Sequence, residues 1–177
     1  MNPRLGLFVA VSSALVIIAA CGGGDALSLE EYLQALDGTE DDAGAADEKA
    51  IAAYDEALES AETEEEAADA LRKFLDDEIS TVQLIHDDLG SLAPPADVED
   101  LHNDATAARA DVLEILADLS RRAELADSVL DVEALVEELV EGPEFLAVGN
   151  AAQDAVCKIQ EIGIEKGFEV DDIGCEE

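Results

Sequence analysis

Aromatic residues, basic residues and cysteines are all scarce in this chain, and each shortage removes a class of structure or function. Tryptophan is absent and aromatics make up 3% of the 177 residues, whereas the apolar fraction of 49% is mostly Ala, Leu, Val and Ile. Alanine and leucine favour helix, while strands are typically rich in aromatic and β-branched residues. The composition therefore favours an all-α domain over a sheet.

The shortage of bases limits the possible partners. Only 9 Lys and Arg residues face 45 Asp and Glu residues, which gives a formal net charge of −36. Such a chain repels nucleic-acid phosphates and anionic lipid headgroups, so binding to DNA or RNA is excluded and membrane attachment requires a lipid anchor. Two interpretations of the acidity stay open. It is either a solvated coat, which includes adaptation to salt, or an attraction for divalent cations or a basic protein partner.

Catalytic motifs are missing as well. The sequence contains no G-x-S-x-G, H-E-x-x-H, P-loop, dinucleotide-binding or calcium-loop pattern. Paired carboxylates occur throughout so acidic a chain, and they therefore identify no particular acid–base site. We expect neither an enzyme nor a bound cofactor.

The first 20 residues have the pattern of a cleaved secretory signal. Arg4 supplies a positive charge, and residues 5–20 form a weakly polar to apolar stretch that is short for a membrane span. This stretch ends in Ile18-Ala19-Ala20-Cys21, which resembles the bacterial lipobox, although Ile18 stands where leucine is usual. The resemblance implies cleavage before Cys21 and acylation of that cysteine, palmitate included. The alternative is an ordinary signal peptide that leaves Cys21 free.

These expectations divide the chain into a signal peptide (1–20), a lipidated cysteine with a Gly-rich tether (21–27), and an acidic helical-bundle domain (28–177). The resemblance implies a mature protein held in the bilayer by acylated Cys21, on the extracytoplasmic face of the cell membrane. The predicted function is that of a surface lipoprotein with a non-catalytic interaction or structural role. Extracytoplasmic binding of a divalent cation or small ligand is the alternative.

Apolar periodicity predicts an antiparallel bundle of about four main helices plus one or two short ones. Capping boxes at Ser28 and Thr63 open two helices, Pro94-Pro95 end the longest one, and Pro143 suits the first turn of the last. A short helix is expected before Pro143, with Asp131 as its cap. Residues 38–47 lack apolar periodicity, so they are predicted to be a mobile acidic loop between two helices.

Two cysteines are left once Cys21 is acylated. An even number in an exported chain predicts a disulfide between Cys157 and Cys175, which would staple the C-terminal tail to the last helix. In the loop-entropy model such a bridge contributes about 3 kcal/mol. A redox-active pair is the alternative, which the lack of C-x-x-C spacing disfavours. The segment LGSLAPPADVEDLH and the ending around these cysteines are similar to patterns in uncharacterised helical lipoproteins of bacteria, a similarity that implies no activity.

The two histidines lie at nearly equal distances in sequence from the Pro94-Pro95 turn. An antiparallel hairpin would therefore bring His86 and His102 to a similar height. With neighbouring carboxylates such as Asp87 or Asp100, they could form a zinc or copper site. In the alternative interpretation His86 covers the edge of the core, and His102 is an interfacial residue bonded to carboxylates or water.

Overall fold

The computed structural model describes residues 26–168 and residue 175. Within them the chain is all-α, and the helices in order are α1 (Leu29–Ser60), α2 (Glu64–Ser91), α3 (Glu99–Glu124), α4 (Val129–Val140) and α5 (Pro143–Glu165). Four helices are long and α4 is short, so the predicted fold class is confirmed. No helix in the described part is long and apolar enough to cross a bilayer. Cys21 and the predicted signal peptide lie outside the described residues.

The predicted helix starts at Ser28 and Thr63 are confirmed as capping boxes. The Ser28 amide donates to Glu31 Oε2 at 3.0 Å, and the Glu31 amide donates back to Ser28 Oγ at 3.3 Å. Thr63 and Glu66 repeat the exchange at 3.1 and 3.2 Å. Each box satisfies backbone donors that have no partner within the helix.

Prolines and a serine set the remaining boundaries. α2 ends at Ser91, shortly before Pro94-Pro95, and Pro143 stands in the first turn of α5, both as predicted. The predicted cap of α4 was wrong. Ser128 is the N-cap, and its hydroxyl accepts the Asp131 amide at 3.3 Å, which puts Asp131 inside the first turn.

Residues 38–47 are the middle of α1, so the prediction of a mobile loop there was wrong. Thr39 and Ala43 are buried and continue the inward face that Leu36 and the residues before it form. Small side chains on this face suit the extensive packing of α1 on α2. Arg109 of α3 also reaches Glu40, with 3.0 Å between guanidinium nitrogen and carboxylate oxygen. Tertiary contacts thus outweigh the weak helix propensity of the two glycines in this stretch.

The long helices form an antiparallel bundle in which α1 packs on α2, α2 on α3, and α3 on α5. The end of the bundle where α1 begins is called the tether end. There the Leu27 amide donates to the Ala93 carbonyl at 2.9 Å, and Lys166 after α5 pairs with Asp97 before α3. The opposite end is called the α4 end. It contains α4, the start of α5, and the junction where Arg72 Nε donates to the Ala123 carbonyl at 2.9 Å.

Each end has its own apolar cluster. The tether-end cluster comprises Leu29, Tyr32, Leu33, Leu36, Leu89, Val98, Ala105, Ala155, Val156 and Ile159. The cluster at the α4 end comprises Leu71, Leu75, Leu119, Ala123 and Val132. Partly buried side chains of α4 pack against this second cluster. The short helix α4 therefore covers the bundle at that end.

The C-terminal tail is joined to α5 as the sequence predicted. Cys157 and Cys175 form a disulfide with their Cα atoms 5.4 Å apart. Gly167, with φ +88°, lets the chain turn at the end of α5 in a conformation that residues with a Cβ rarely adopt. Phe168 then packs against the tether-end cluster. The aromatic contact holds the start of the tail at the tether end, and the bridge attaches Cys175 to α5.

Candidate functional site

A cleft of about 740 Å³ opens at the α4 end, between the second half of α3, the end of α4 and the start of α5. Its apolar lining is buried or half-buried and consists of Ile115, Leu119, Leu139, Phe145 and Val148. Its charged lining is exposed and consists of Asp111, Glu114, Asp118, Glu138, Glu144, Arg121 and Arg122. We call the first group the floor and the second group the rim. The cleft therefore joins apolar surface to concentrated negative charge.

Helical periodicity on α3 and a tight connection before α5 build this cleft. Asp111, Ile115, Asp118 and Arg122 recur at spacings of three and four, so they share one face of α3. At the other wall, the Gly142 amide donates to the Leu139 carbonyl at 2.8 Å. A Cβ at Gly142 would lie 2.9 Å from that same oxygen, so the turn requires glycine.

Both arginines of the rim are already paired with carboxylates. Arg121 contacts Asp118 within α3 at 2.9 Å, and Arg122 bridges to Glu138 of α4 at 3.0 Å. These pairs are exposed, so each contributes at most about 1 kcal/mol. The other three carboxylates of the rim, those of Asp111, Glu114 and Glu144, form no ion pair with any described residue. Five carboxylates against two guanidinium groups leave the rim strongly negative.

The structure places the two histidines on adjacent helices, in different environments. His102 of α3 is buried, and its Nδ1 lies 3.0 Å from the Tyr32 hydroxyl of α1, within hydrogen-bond distance. His86 of α2 is half-buried, and its Nδ1 is buried without a hydrogen-bond partner among the described residues. Across the described part of the chain, no group of three or more His, Cys, Asp or Glu side chains is arranged to hold a metal ion. The two-histidine metal site stays a prediction to which the structure adds no third ligand.

Burial favours the uncharged forms of Tyr32 and His102. Desolvation lowers the pKa of His102 below its ordinary value, because the buried imidazolium would lose its hydration. Desolvation also raises the pKa of Tyr32 to about 12, against a smaller opposing effect of the Arg109 charge. A neutral imidazole and a neutral phenol thus satisfy each other inside the tether-end cluster.

Glu78 is a perturbed residue that the sequence did not single out. It is half-buried on α2, with Asp47 of α1 as its neighbour. Burial raises the pKa of Glu78 to about 7, and a hydrogen bond to Asp47 with the charges of Asp47 and Asp77 act in the same direction. Glu78 Oε1 is buried and has no hydrogen-bond partner among the described residues, which disfavours the charged form of Glu78. Only the continuous α1 brings position 47 to this interface, so the expected loop concealed the pair.

Comparison with known proteins adds no relative from which a function could be transferred. No protein-family model, curated protein or solved structure matches the chain. The cleft, the Tyr32–His102 pair and the Asp47–Glu78 pair are the functional features that the structure itself provides. Of the three, the cleft alone combines accessible space, apolar surface and charge.

Proposed function

We propose that this chain is a lipid-anchored protein of the extracytoplasmic face, and that its helical domain contacts a partner without catalysing a reaction. The sequence Ile18-Ala19-Ala20-Cys21 supports the anchor through its resemblance to the lipobox. The cleft at the α4 end carries the proposal of an interaction role, because it presents an apolar floor within an otherwise acidic surface. A concave apolar surface with charged groups around it is the usual form of a binding site.

The position of the cleft fits an outward-facing contact. Residues 22–28 can span at most about 25 Å, so a lipid on Cys21 would hold the tether end near the bilayer. α3 has 26 residues and is about 39 Å long, so in an upright bundle its far end would lie well away from that surface. In this arrangement the cleft would face partners outside the membrane rather than lipid.

The lining supports binding rather than catalysis. It contains carboxylates, guanidinium groups and apolar side chains, and no serine, cysteine or histidine is among its residues. Acyl transfer of the serine or cysteine type needs such a nucleophile next to a histidine base that activates it. His102, by contrast, is buried against Tyr32 in the tether-end cluster.

The anchor is tested by the intact mass of the protein purified from the membrane fraction of its host. We expect a chain that begins at Cys21 and carries two or three acyl chains. Cys21→Ser should abolish the acyl mass and move the protein out of the membrane fraction. A mature chain that starts elsewhere, or an unmodified Cys21, would refute the lipid anchor.

The interaction role is tested by placing a photo-crosslinking amino acid at Glu144 of the anchored protein. Glu144 lines the cleft, and Asp154 provides a matched control because it is an exposed acid further along the same helix. We expect a defined covalent adduct from position 144 and none from position 154. Equal adducts at both positions, or none at either, would contradict a contact through the cleft.

A small ligand is the second candidate, because a volume of about 740 Å³ lies within the range of small-molecule sites. The rim selects for an organic cation over an anion. The crosslinking experiment separates the candidates, since a small ligand would leave position 144 without a protein adduct.

A further inference from the structure

We propose that the occupant of the cleft is a basic amphipathic helix of about three turns, supplied by a partner protein. This inference rests on the interaction role proposed above and names the chemistry of the partner. The α3 wall of the cleft runs from Asp111 to Arg122. At a rise of about 1.5 Å per residue this wall is about 17 Å long, which corresponds to three helical turns.

The apolar floor is complementary to a row of apolar side chains on the occupant. Its side chains come from three helices, with Ile115 and Leu119 from α3, Leu139 from α4, and Phe145 and Val148 from α5. A groove between helices accepts apolar side chains that recur at spacings of three and four, as one face of an amphipathic helix presents them.

The rim determines the charge of the occupant. Arg121 and Arg122 are paired with rim acids, while Asp111, Glu114 and Glu144 have no cationic partner in the described structure. Lys or Arg residues that flank an apolar stripe on the occupant would form ion pairs with these three acids. Charge also argues against a second copy of this chain, because two copies with a formal charge of −36 each repel one another.

The experiment uses the mature lipidated protein in nanodiscs of phosphatidylcholine, with empty nanodiscs as the blank. Three fluorescent 14-residue peptides are titrated by anisotropy: a Leu/Lys amphipathic helix, a scrambled peptide of the same composition, and the same helix with every Lys replaced by Glu. We expect saturable binding of the first, about tenfold weaker binding of the second, and no binding of the third.

Charge reversal on α3 locates the contact. Asp111→Lys together with Glu114→Lys should weaken binding of the amphipathic peptide by about tenfold. Asp104→Lys is the control, because Asp104 is exposed on α3 outside the cleft, and it should change the affinity less than about twofold. Helical content by circular dichroism checks that each variant is folded. Phe145→Ser should weaken the amphipathic peptide and leave binding of the scrambled peptide unchanged.

Four results would overturn the inference. Equal binding of the ordered and scrambled peptides would indicate general attraction to the acidic coat, as would an equal effect of Asp104→Lys. If spermine displaced the fluorescent peptide as strongly as the unlabelled peptide does, a small polycation would be indicated as the occupant. If crosslinking at Glu144 succeeds while the peptide fails, the interaction role stands with a different partner. If the peptide binds while Cys21 carries no lipid, the docking chemistry stands and the anchor fails.

Discussion

Two pairs of buried or half-buried polar side chains connect α1 to other helices of the bundle. Tyr32 and His102 join α1 to α3 within the tether-end cluster, and Asp47 and Glu78 join α1 to α2. A buried polar group that keeps its partner is tolerated, whereas one that loses it costs about 1–3 kcal/mol. Each pair therefore favours one particular arrangement of the helices more strongly than apolar contacts alone would.

The two pairs respond to pH in opposite directions. His102 has a lowered pKa, so its contribution to stability is present above the ordinary histidine value and is lost as the pH falls through the folded-state value. Glu78 has a raised pKa, so the folded state holds a proton that the unfolded state releases. The Glu78 contribution is therefore present near pH 4.5 and is lost as the pH rises towards about 7.

Replacing Glu78 by glutamine should remove the pH dependence that this carboxyl causes. Near pH 4.5 the variant and the wild type should have similar free energies of unfolding, because Glu78 is then protonated. At pH 8 the variant should be more stable, by on the order of 2 kcal/mol, since an amide has no charge to desolvate beside Asp47. Urea denaturation followed by circular dichroism at the two pH values measures this difference.

Glu56→Gln is the control for the Glu78 variant, because Glu56 is an exposed carboxylate on α1. It removes one negative charge from the same acidic protein without changing a buried group. If Glu56→Gln gave the same gain at pH 8, general charge repulsion would explain the effect, and the Asp47–Glu78 pair would have no special role.

At the scale of whole helices, start and stop residues were the most predictable features. The capping boxes at Ser28 and Thr63, the break at Pro94-Pro95 and the start at Pro143 depend on local chemistry, which sequence shows directly. The cap of α4 was displaced by one turn because Ser128 and Asp131 are both good capping residues.

The continuity of α1 could not be predicted, because from Thr39 to Ala50 its inward face is made of small residues rather than large apolar ones. Thr39, Ala43 and Ala50 are buried at spacings of four and seven, a helical pattern that a search for large apolar side chains misses. The same error concealed the Asp47–Glu78 pair. The cleft could not be predicted from the sequence for another reason. Its lining comes from three helices, and the packing of these helices depends on the whole bundle.

Because residues 38–47 are helical, replacing either glycine of that stretch by alanine should stabilise the folded protein. A Cβ at Gly38 or Gly44 would meet no atom within 4 Å. Each Gly→Ala change should therefore raise the free energy of unfolding by about 0.5–1 kcal/mol. The double variant should melt roughly 2–6 °C higher, as measured by differential scanning calorimetry.

Gly142→Ala provides the opposite control for the glycine series. Its Cβ would lie 2.9 Å from the Leu139 carbonyl oxygen, so the turn before α5 must shift. We expect a loss of roughly 1–3 kcal/mol, with both variants measured under the same conditions. A mobile loop at 38–47 would instead make Gly38→Ala and Gly44→Ala nearly neutral.

Across the whole molecule, apolar contacts at the two ends hold together a chain whose charges repel. The two clusters lie at opposite ends, and between them along α3 the largely buried Arg109 pairs with Glu40. Arg4 is the one base of the predicted signal peptide, so a chain cleaved as predicted would have 8 bases for its 45 acids. Most carboxylates therefore have no cation nearby, and their mutual repulsion opposes folding.

Salt should consequently stabilise the protein. Raising NaCl from about 0.1 M to about 1 M shortens the Debye length from about 10 Å to about 3 Å, which screens repulsion between exposed carboxylates. Each pair of like charges at i,i+4 costs roughly 0.2–0.5 kcal/mol before screening, and a chain this acidic contains many. We expect a gain on the order of 2–4 kcal/mol, seen as a melting temperature that rises steadily with NaCl.

Divalent cations decide which interpretation of the acidity holds. Screening depends on ionic strength, so a solvated coat predicts equal melting temperatures in NaCl, MgCl₂ and CaCl₂ at matched ionic strength. A bound cation stabilises the folded state by mass action at concentrations too low to screen. A rise in melting temperature with stoichiometric Zn²⁺ or Cu²⁺ that disappears in His86→Ala would therefore establish the predicted histidine site. If all cations gave the same melting temperature at matched ionic strength, the histidine site would be excluded. The acidic rim of the cleft would then be available for the basic partner.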